Sequence, residues 1–458
     1  MQRTLAIARL TWKAAFRFRL FWVLAGVLLV SVIVLPLLLK DDGTARGFTQ
    51  ILLTYTLTVI TTLLGFATLW LACGTLAREV EECQMQIVAV KPIARWQVWL
   101  GKWLGLLLLN ATLLALAGGS VFVLLQWRAQ QLPADQQTIL RNEIFVARGA
   151  LHEPTRDIES DLERIFQERL QQTPVPPEQQ LEVRQRLREQ LLAGMQVVPS
   201  GYRRAWRIDL GWRKALLRDE PLFLRVKFHA AQTNLTGTYA GLWQVGDPEK
   251  SAVWRARFSQ AADTFHEFAI PPNHFDEAGQ LTVQFVNANN TALLFPLEDG
   301  FEVLYREGGF GLNFARGLLI ILAWMGLLAA LGLAAASFLS FPVAAFVSAS
   351  LLIVFLSSGT LSGVVAEGSI SAPDHETGEV QPSWFDRSVI GFYRVLLFIV
   401  NAIQRFSPID ALSTGRSISW EQLGLAWATC VLMMGGLIGG AGMAIFTHRE
   451  LATAQGSS

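Results

Sequence analysis

Charge is scarce in this chain: of 458 residues only 16% are Asp, Glu, Lys or Arg and 52% are hydrophobic, whereas ordinary soluble domains carry about 25% charged residues. With a mean hydropathy of +0.36, a single soluble globular protein is excluded and a membrane class is implied. Cysteine is nearly absent. Cys73, Cys83 and Cys430 all fall in or beside apolar stretches, so the polar middle of the chain has no disulfide framework. The net charge of +1 implies no nucleic-acid partner. No segment reads G-x-x-x-x-G-K-[ST]; Gly101-Lys102 lacks both the upstream glycine and the following hydroxyl. No backbone cradle for a nucleotide phosphate is therefore expected, and no ATP hydrolysis by this chain. H-E-x-x-H, C-x-x-C and G-x-S-x-G are missing as well, so no catalytic and no metal-ligating residues are assigned.

What is present is a series of long uncharged runs. A hydrocarbon core of ~30 Å needs about 20 apolar helical residues. Leu20 to Leu39, Phe48 to Ala77 and Trp103 to Trp127 each suffice; Gly317 to Ala366 is long enough for two helices broken at the Ser337 to Pro342 turn, and Gln422 to Thr447 makes a sixth. The basic tail before the first run reads as part of a retained helix, because the run is too long for a signal h-region and no small-x-small site follows. Lys and Arg in short flanking segments mark the cytoplasmic side. The tail (Arg3, Arg9, Lys13, Arg17, Arg19) and the 78–102 loop (Arg78, Lys91, Arg95, Lys102) belong there. Both termini, with the tail 448–458, are then cytoplasmic, and 128–310 is extracytoplasmic. The 367–421 segment, also outside, carries Arg387, Arg394, Arg405 and Arg416; its uncharged stretch from Val395 to Gln404 is too short to span and reads as an interfacial or re-entrant helix.

Within the outer region, 133–197 reads as two helices. Ile158, Leu162, Phe166 and Leu170 recur at helical spacing, as do Leu187, Leu191 and Met195, and Thr173-Pro-Val-Pro-Pro177 separates the pair. From 205 to 306 the period becomes two. Leu222, Leu224, Val226 and Phe228 alternate with Arg225 and Lys227, and Trp254, Ala256 and Phe258 with Arg255 and Arg257. A β-sandwich or jelly roll is expected, and the run Ile270 to Val286 resembles the late strands of jelly-roll sugar-binding modules. Tyr239, Trp243 and Trp254 are candidates for a stacking platform for a glycan, against the plainer reading that strand aromatics fill a core. His266 and His274, near Asp263, Glu267 and Asp276, match no metal-ligand spacing.

The spans carry no Asp, Glu, Lys or Arg over their central stretches, unlike carriers driven by ion gradients, so a borrowed motor is favoured. The run from Arg78 to Lys102 resembles the cytoplasmic loop between helices two and three of ABC-2-type transporter permeases. An acidic turn with Glu79, Glu81 and Glu82 is followed by an apolar helix, a Pro-x-x-Arg turn at Pro92 and Arg95, and Gly101-Lys102 leading into the third helix. Cys83-Gln-Met85 stands where that family commonly has a Gly-Thr step. Arg9 to Trp22, with Arg9, Lys13, Arg17 and Arg19, resembles the family's amphipathic connecting helix (1–19). Phe406 to Ala411 and Thr447 to Glu450 resemble its Ser-Pro segment and Arg-Glu ending.

The resemblance implies a six-helix membrane domain (20–127, 311–366 and 422–447) in a bacterial inner membrane. It also implies a coupling loop that docks on a separate ATPase subunit holding ATP and Mg, and a second permease copy or homologous half. Gly435, Gly436, Gly439 and Gly440 offer a close-packing face, for a dimer seam or for packing inside one subunit. Outward movement of a lipid-linked, glycan-like or amphipathic substrate is the leading expectation. Mechanical work on an envelope protein, including assistance to copper-enzyme maturation, is the alternative, and a membrane-anchored sensor is a third.

Overall fold

The computed structural model describes residues 2–17, 19–38, 44–82, 84, 93–140, 144–154, 158–172, 176–234, 236–359, 362 and 384–449. They form two compact units: Met1–Ala147 together with Gly308–Ser458, and Arg148–Glu307.

The first unit opens with α1 (Gln2–Arg17), α2 (Arg19–Leu38), α3 (Ala45–Glu81), α4 (Arg95–Ala129) and the short α5 (Ala134–Ile139). Thr44 starts α3 by accepting the Gly47 N–H at 3.0 Å, which satisfies one of the orphan donors of the first turn. Strand β1 (Val146–Leu151) then leads into the second unit, which contains the helices α6 (Ile158–Gln172) and α7 (Pro177–Gln196). Leu162, Phe166 and Leu187 are buried between this pair, and Pro177 sits in the first turn of α7, where its missing N–H costs nothing. Ten further strands follow: β2 (Val197–Val198), β3 (Arg203–Asp209), β4 (Leu222–Val226), β5 (His229–Ala230), β6 (Thr238–Val245), β7 (Trp254–Ala261), β8 (His266–Ile270), β9 (Gln280–Asn287), β10 (Leu293–Leu294) and β11 (Phe301–Gly309).

Two four-stranded sheets run β1-β11-β4-β8 and β3-β9-β6-β7, with a small sheet β2-β10-β5. Period-two alternation does the work here. Leu222, Leu224, Val226, Phe301, Val303 and Tyr305 from the first sheet and Trp206, Ile208, Trp243, Val245, Leu281, Val283 and Phe285 from the second meet in one core, a sandwich-like arrangement. The far side of the first sheet is buried too. It carries Phe223, Leu304 and the ion pairs Arg148 with Glu267 and Arg225 with Glu302.

The chain re-enters the first unit as α8 (Phe310–Ala336), directly after β11, then forms α9 (Phe341–Leu356), α10 (Trp384–Gln404), α11 (Pro408–Ser413) and α12 (Trp420–His448). A π-helical stretch, Ala428–Gly435, widens the middle of α12. Leucine-rich faces of α2, α3, α4 and α8 share the main core. At mid-length of α3 and α4 the Thr68 hydroxyl donates to Asn110 Oδ1 at 2.9 Å; both side chains are buried, and such a bond fastens helices where no water competes.

Among the described residues, five helices can cross a membrane by length and composition: Thr49–Glu81, Arg95–Ala129, Phe310–Ala336, Val389–Ser413 and Trp420–His448. The bent pair α1 and α2 makes a sixth if counted as one span. The set differs from the sequence expectation at two places. The helix after the 337–340 break has 16 residues, or about 24 Å, which is short of the hydrocarbon thickness. Conversely the Val389–Ser413 segment, read from sequence as too short, passes the test. The uncharged run is bounded by Arg394 and Arg405, but the helix runs through Arg394 while burying Ile390, Leu397, Val400 and Ile403 on one face.

Candidate functional site

Glu79, Glu81, Arg95 and Lys102 of the expected docking loop meet at one end of the helical unit, where α3 ends, α4 begins, α8 ends, α9 begins and α12 ends. Lys102, 5% exposed on α4, donates to Glu79 Oε1 at 2.6 Å and to the Thr75 carbonyl at 2.9 Å, both on α3. A buried cation needs such a partner, because an uncompensated charge in a low-dielectric interior costs several kcal/mol. Glu81 Oε1 accepts the Phe341 N–H at 2.8 Å and so caps the first turn of α9. The Arg78 guanidinium lies 4.1 Å from the centroid of the Phe341 ring.

Arg95 does the complementary job at a helix C-terminus. Its Nη1 donates to the carbonyls of Thr447 at 2.8 Å and Arg449 at 2.6 Å, with Phe446 at 3.3 Å, and so occupies orphan acceptors at the end of α12. Arg449 in turn donates to the Ser337 carbonyl at 3.1 Å, at the end of α8. Side chains of the expected docking loop thereby tie α3, α4, α9 and α12 together, and Arg449 adds α8. Glu82, bonded to Gln84 at 2.6 Å, and the half-exposed Trp96 remain on the surface. Lys91, Pro92 and most of the expected apolar loop helix lie outside the described residues.

The N-terminal helix is packed onto this end through glycine. A Cβ on Gly101 would lie 2.7 Å from Ile7 Cβ, and one on Gly105 would lie 2.6 Å from Thr11 Cβ and 2.9 Å from the Ala8 carbonyl oxygen. Only hydrogen at these positions lets α1 and α4 approach so closely. Thr4 and Ala8 are buried in this contact, while Arg9, Lys13, Leu5 and Leu10 are exposed on the other side. Arg17 and Arg19 lie at the junction of α1 and α2, and the structure describes only their backbone.

On α12 the glycines divide. A Cβ on Gly439 would lie 2.9 Å from the Trp99 ring and one on Gly442 2.8 Å from Ala334 Cα, so these face the interior; Gly435 is buried against the Cys430 carbonyl. Gly440 has nothing within 4 Å, and Gly436 has only the Val431 carbonyl at 4.0 Å. Sequence reading missed Gly105, Gly442 and the Arg449 tie. The first is visible in the sequence as Gly101-x-x-x-Gly105, a small-residue spacing.

The three aromatics proposed for glycan stacking do not form a platform. Tyr239 and Trp243 are buried in the core of the β unit, and Trp243 packs among Phe285, Trp206 and Phe268 at centroid distances of 4.7, 6.0 and 5.5 Å. The Tyr239 hydroxyl is engaged by the Gln232 carbonyl at 2.7 Å. Trp254 is half-buried against Phe268 and Phe258. The rings serve the hydrophobic core, which is the ordinary use of strand aromatics. Of the histidines, His266 bonds the Ala261 carbonyl at 2.8 Å and His274 the Pro271 and Pro272 carbonyls at 2.9 Å. No group of three or more metal-ligating side chains occurs among the described residues.

No family model, no curated protein and no solved structure matches this chain.

Proposed function

We propose that this chain is the membrane-spanning half of an ATP-driven ABC-2-type transporter, that it has no ATPase of its own, and that it works as a pair in a bacterial inner membrane. The charged end is then the cytoplasmic end, and the loop between α3 and α4 is the site where a separate nucleotide-binding subunit pushes. The observation that carries this reading is the interlock of Lys102 with Glu79, Glu81 with the start of α9 and Arg95 with the end of α12, beside an α1 packed on Gly101 and Gly105. A force applied to the loop reaches α3, α4, α8, α9 and α12 through these short contacts without slack. An isolated anchor or sensor has no need of such a coupling. A lipid-linked or amphipathic substrate fits a helical unit whose described core is leucine-rich and lacks buried carboxylates.

A mechanical role for the outer unit is the second reading, and two observations favour it. The β unit buries its candidate ligand-binding aromatics in its own core, and β11 passes into α8 with no residue between them. A strand joined so directly to a spanning helix is suited to transmit displacement to an envelope protein.

The test is co-purification with the ATPase encoded nearest to this chain, followed by ATP hydrolysis in lipid nanodiscs. Because Glu81 and Arg95 make contacts inside the chain, reversing their charges disturbs folding and docking together; the informative variant is Glu82→Arg with Trp96→Ser, on the surface. Complex formation with the native chain, and at least tenfold weaker binding or stimulation with the variant at an unchanged melting temperature, is the expected result. Absence of any bound ATPase, with native and variant alike, overturns the reading.

A further inference from the structure

In the β unit two large apolar side chains stand out on one turn. Trp212 is 74% exposed and Leu216 67% exposed, on the 3-10 turn Gly211–Ala215 and the residue after it. The turn is held rigidly. Asp209 Oδ1 accepts the Gly211 N–H at 2.8 Å, Gly211 adopts φ +54°, and the Lys214 ammonium donates to the Glu277 carbonyl at 3.1 Å. The Arg213 guanidinium lies 4.8 Å from the Trp212 ring centroid and 5.4 Å from that of Tyr305. Leu217, next in the chain, is buried and anchors the turn to the core. An ordered turn that presents Trp and Leu outward is not an unfolded loop tip, and exposing both to water is unfavourable.

Strand register fixes the end of the β unit to which this turn belongs. Val226 pairs with Phe301 and Phe223 with Leu304, so the residues before β4 lie beyond the C-terminal part of β11. Asp209 pairs with Gln280 and Leu222 with Ile270, which puts the 210–221 connection at the same end. That is the end from which β11 continues into α8. Four residues separate Tyr305 from Phe310, the first residue of α8, so the chain between them spans at most about 17 Å.

We infer that the Trp212 and Leu216 turn is a foot that inserts into the headgroup region of the bilayer. Trp suits that layer because its ring is apolar and its N–H can meet water or a headgroup. The occupant is lipid and not a protein because the turn is continuous along β11 with the chain's own membrane entry. Its cations Arg213, Lys214 and Arg218 are balanced by Asp209, Asp219 and Glu220, so insertion does not require anionic lipid. The inference rests on α8 being a spanning helix and not on any coupling to an ATPase.

The experiment uses the full chain in phosphatidylcholine nanodiscs, labelled with an environment-sensitive fluorophore at Leu216→Cys, and separately at Trp212→Cys. All variants are built on a Cys83→Ser chain, in which the remaining Cys73 and Cys430 are buried, and that chain serves as labelling blank. Lipids with a nitroxide near the headgroup quench shallow labels. Tyr202→Cys, equally exposed at 67% but at the opposite end of β3, is the control for the water side, and Leu319→Cys on α8 is the control for spanning. At least twofold quenching at positions 216 and 212, with none at 202, is expected. Quenching by mid-chain nitroxide at 319 without quenching at 216 and 212 overturns the foot and leaves the spanning helix intact. No quenching at 319 removes the spanning helix, and the inference falls with it.

Discussion

Lys102 on α4 and Glu79 on α3 are joined by a 2.6 Å ion pair in which the lysine side chain is only 6% exposed and the glutamate 34%. Lys102 lies between Gly101 and Gly105, the contact that α1 makes with α4, so one short stretch of α4 serves both charge pairing and close packing.

Removing one partner of that pair leaves the other buried and unpaired. Glu79→Gln is expected to destabilise the helical unit by about 3–5 kcal/mol, with Lys102 losing its counter-charge but keeping the Thr75 carbonyl. The double change Glu79→Leu with Lys102→Met, which removes both charges and keeps the volume, should recover most of the loss. Thermal unfolding in detergent, followed by tryptophan fluorescence, reads both; equal destabilisation by single and double variants sinks the argument.

Much of this architecture was legible from patterning, because a lipid-facing helix needs its apolar length written into the chain. The uncharged runs located α3, α4, α8 and α12, and the period-two runs located β4, β7 and β9. Lengths and breaks were less legible. Val389–Ser413 does not read as a span because Arg394 and Arg405 interrupt its uncharged run, although a helix can hold arginine on one side and Leu397 and Val400 on the other. The sequence groups the charged residues of 78–102, but composition cannot tell a charge that faces a partner subunit from one that caps a neighbouring helix. That distinction depends on Phe341 and Thr447, which are far away in sequence.

The α1 contact predicts a contrast between two glycines of the same helix. At Gly105 a side chain meets the Ala8 carbonyl oxygen at 2.9 Å, which is backbone and cannot swing away; at Gly119 nothing lies within 4 Å. Gly105→Val should therefore release α1 and increase protease cleavage near Arg9 and Lys13 at least fivefold. Gly119→Val should leave cleavage unchanged. Equal cleavage of the two variants would mean that α1 does not depend on this approach.

In the β unit, Trp243 is fully buried and touches both tryptophan and phenylalanine rings of the core. Truncation to alanine leaves a cavity that rigid strands cannot close, and a loss of about 3–5 kcal/mol is expected. Trp254→Ala, half-buried on β7, should cost less than half as much. Near-ultraviolet circular dichroism and denaturant unfolding of the full chain check the order. A larger effect at Trp254, or a specific loss of glycan binding at Trp243 without loss of stability, would contradict its placement in the core.

The glycines of α12 yield the sharpest contrast, because some of them are buried and others meet open space. A methyl group on Gly442 would lie 2.8 Å from both Cα and Cβ of Ala334, where helix backbones meet and no side-chain rotation relieves the clash. Gly442→Ala should separate α12 from α8 and destabilise by about 1–3 kcal/mol. Gly440→Ala meets open space, so the gain in helix propensity of about 1 kcal/mol is unopposed within one chain. Gly436→Ala behaves in the same way unless another copy packs on that face, beside the exposed Leu432 and Leu437. Melting temperature and oligomer mass, measured together in nanodiscs, separate these cases. A Gly436→Ala protein that is stable as a monomer but dissociates as an assembly assigns that face to the seam between subunits. One that is stabilised at unchanged mass assigns it to lipid.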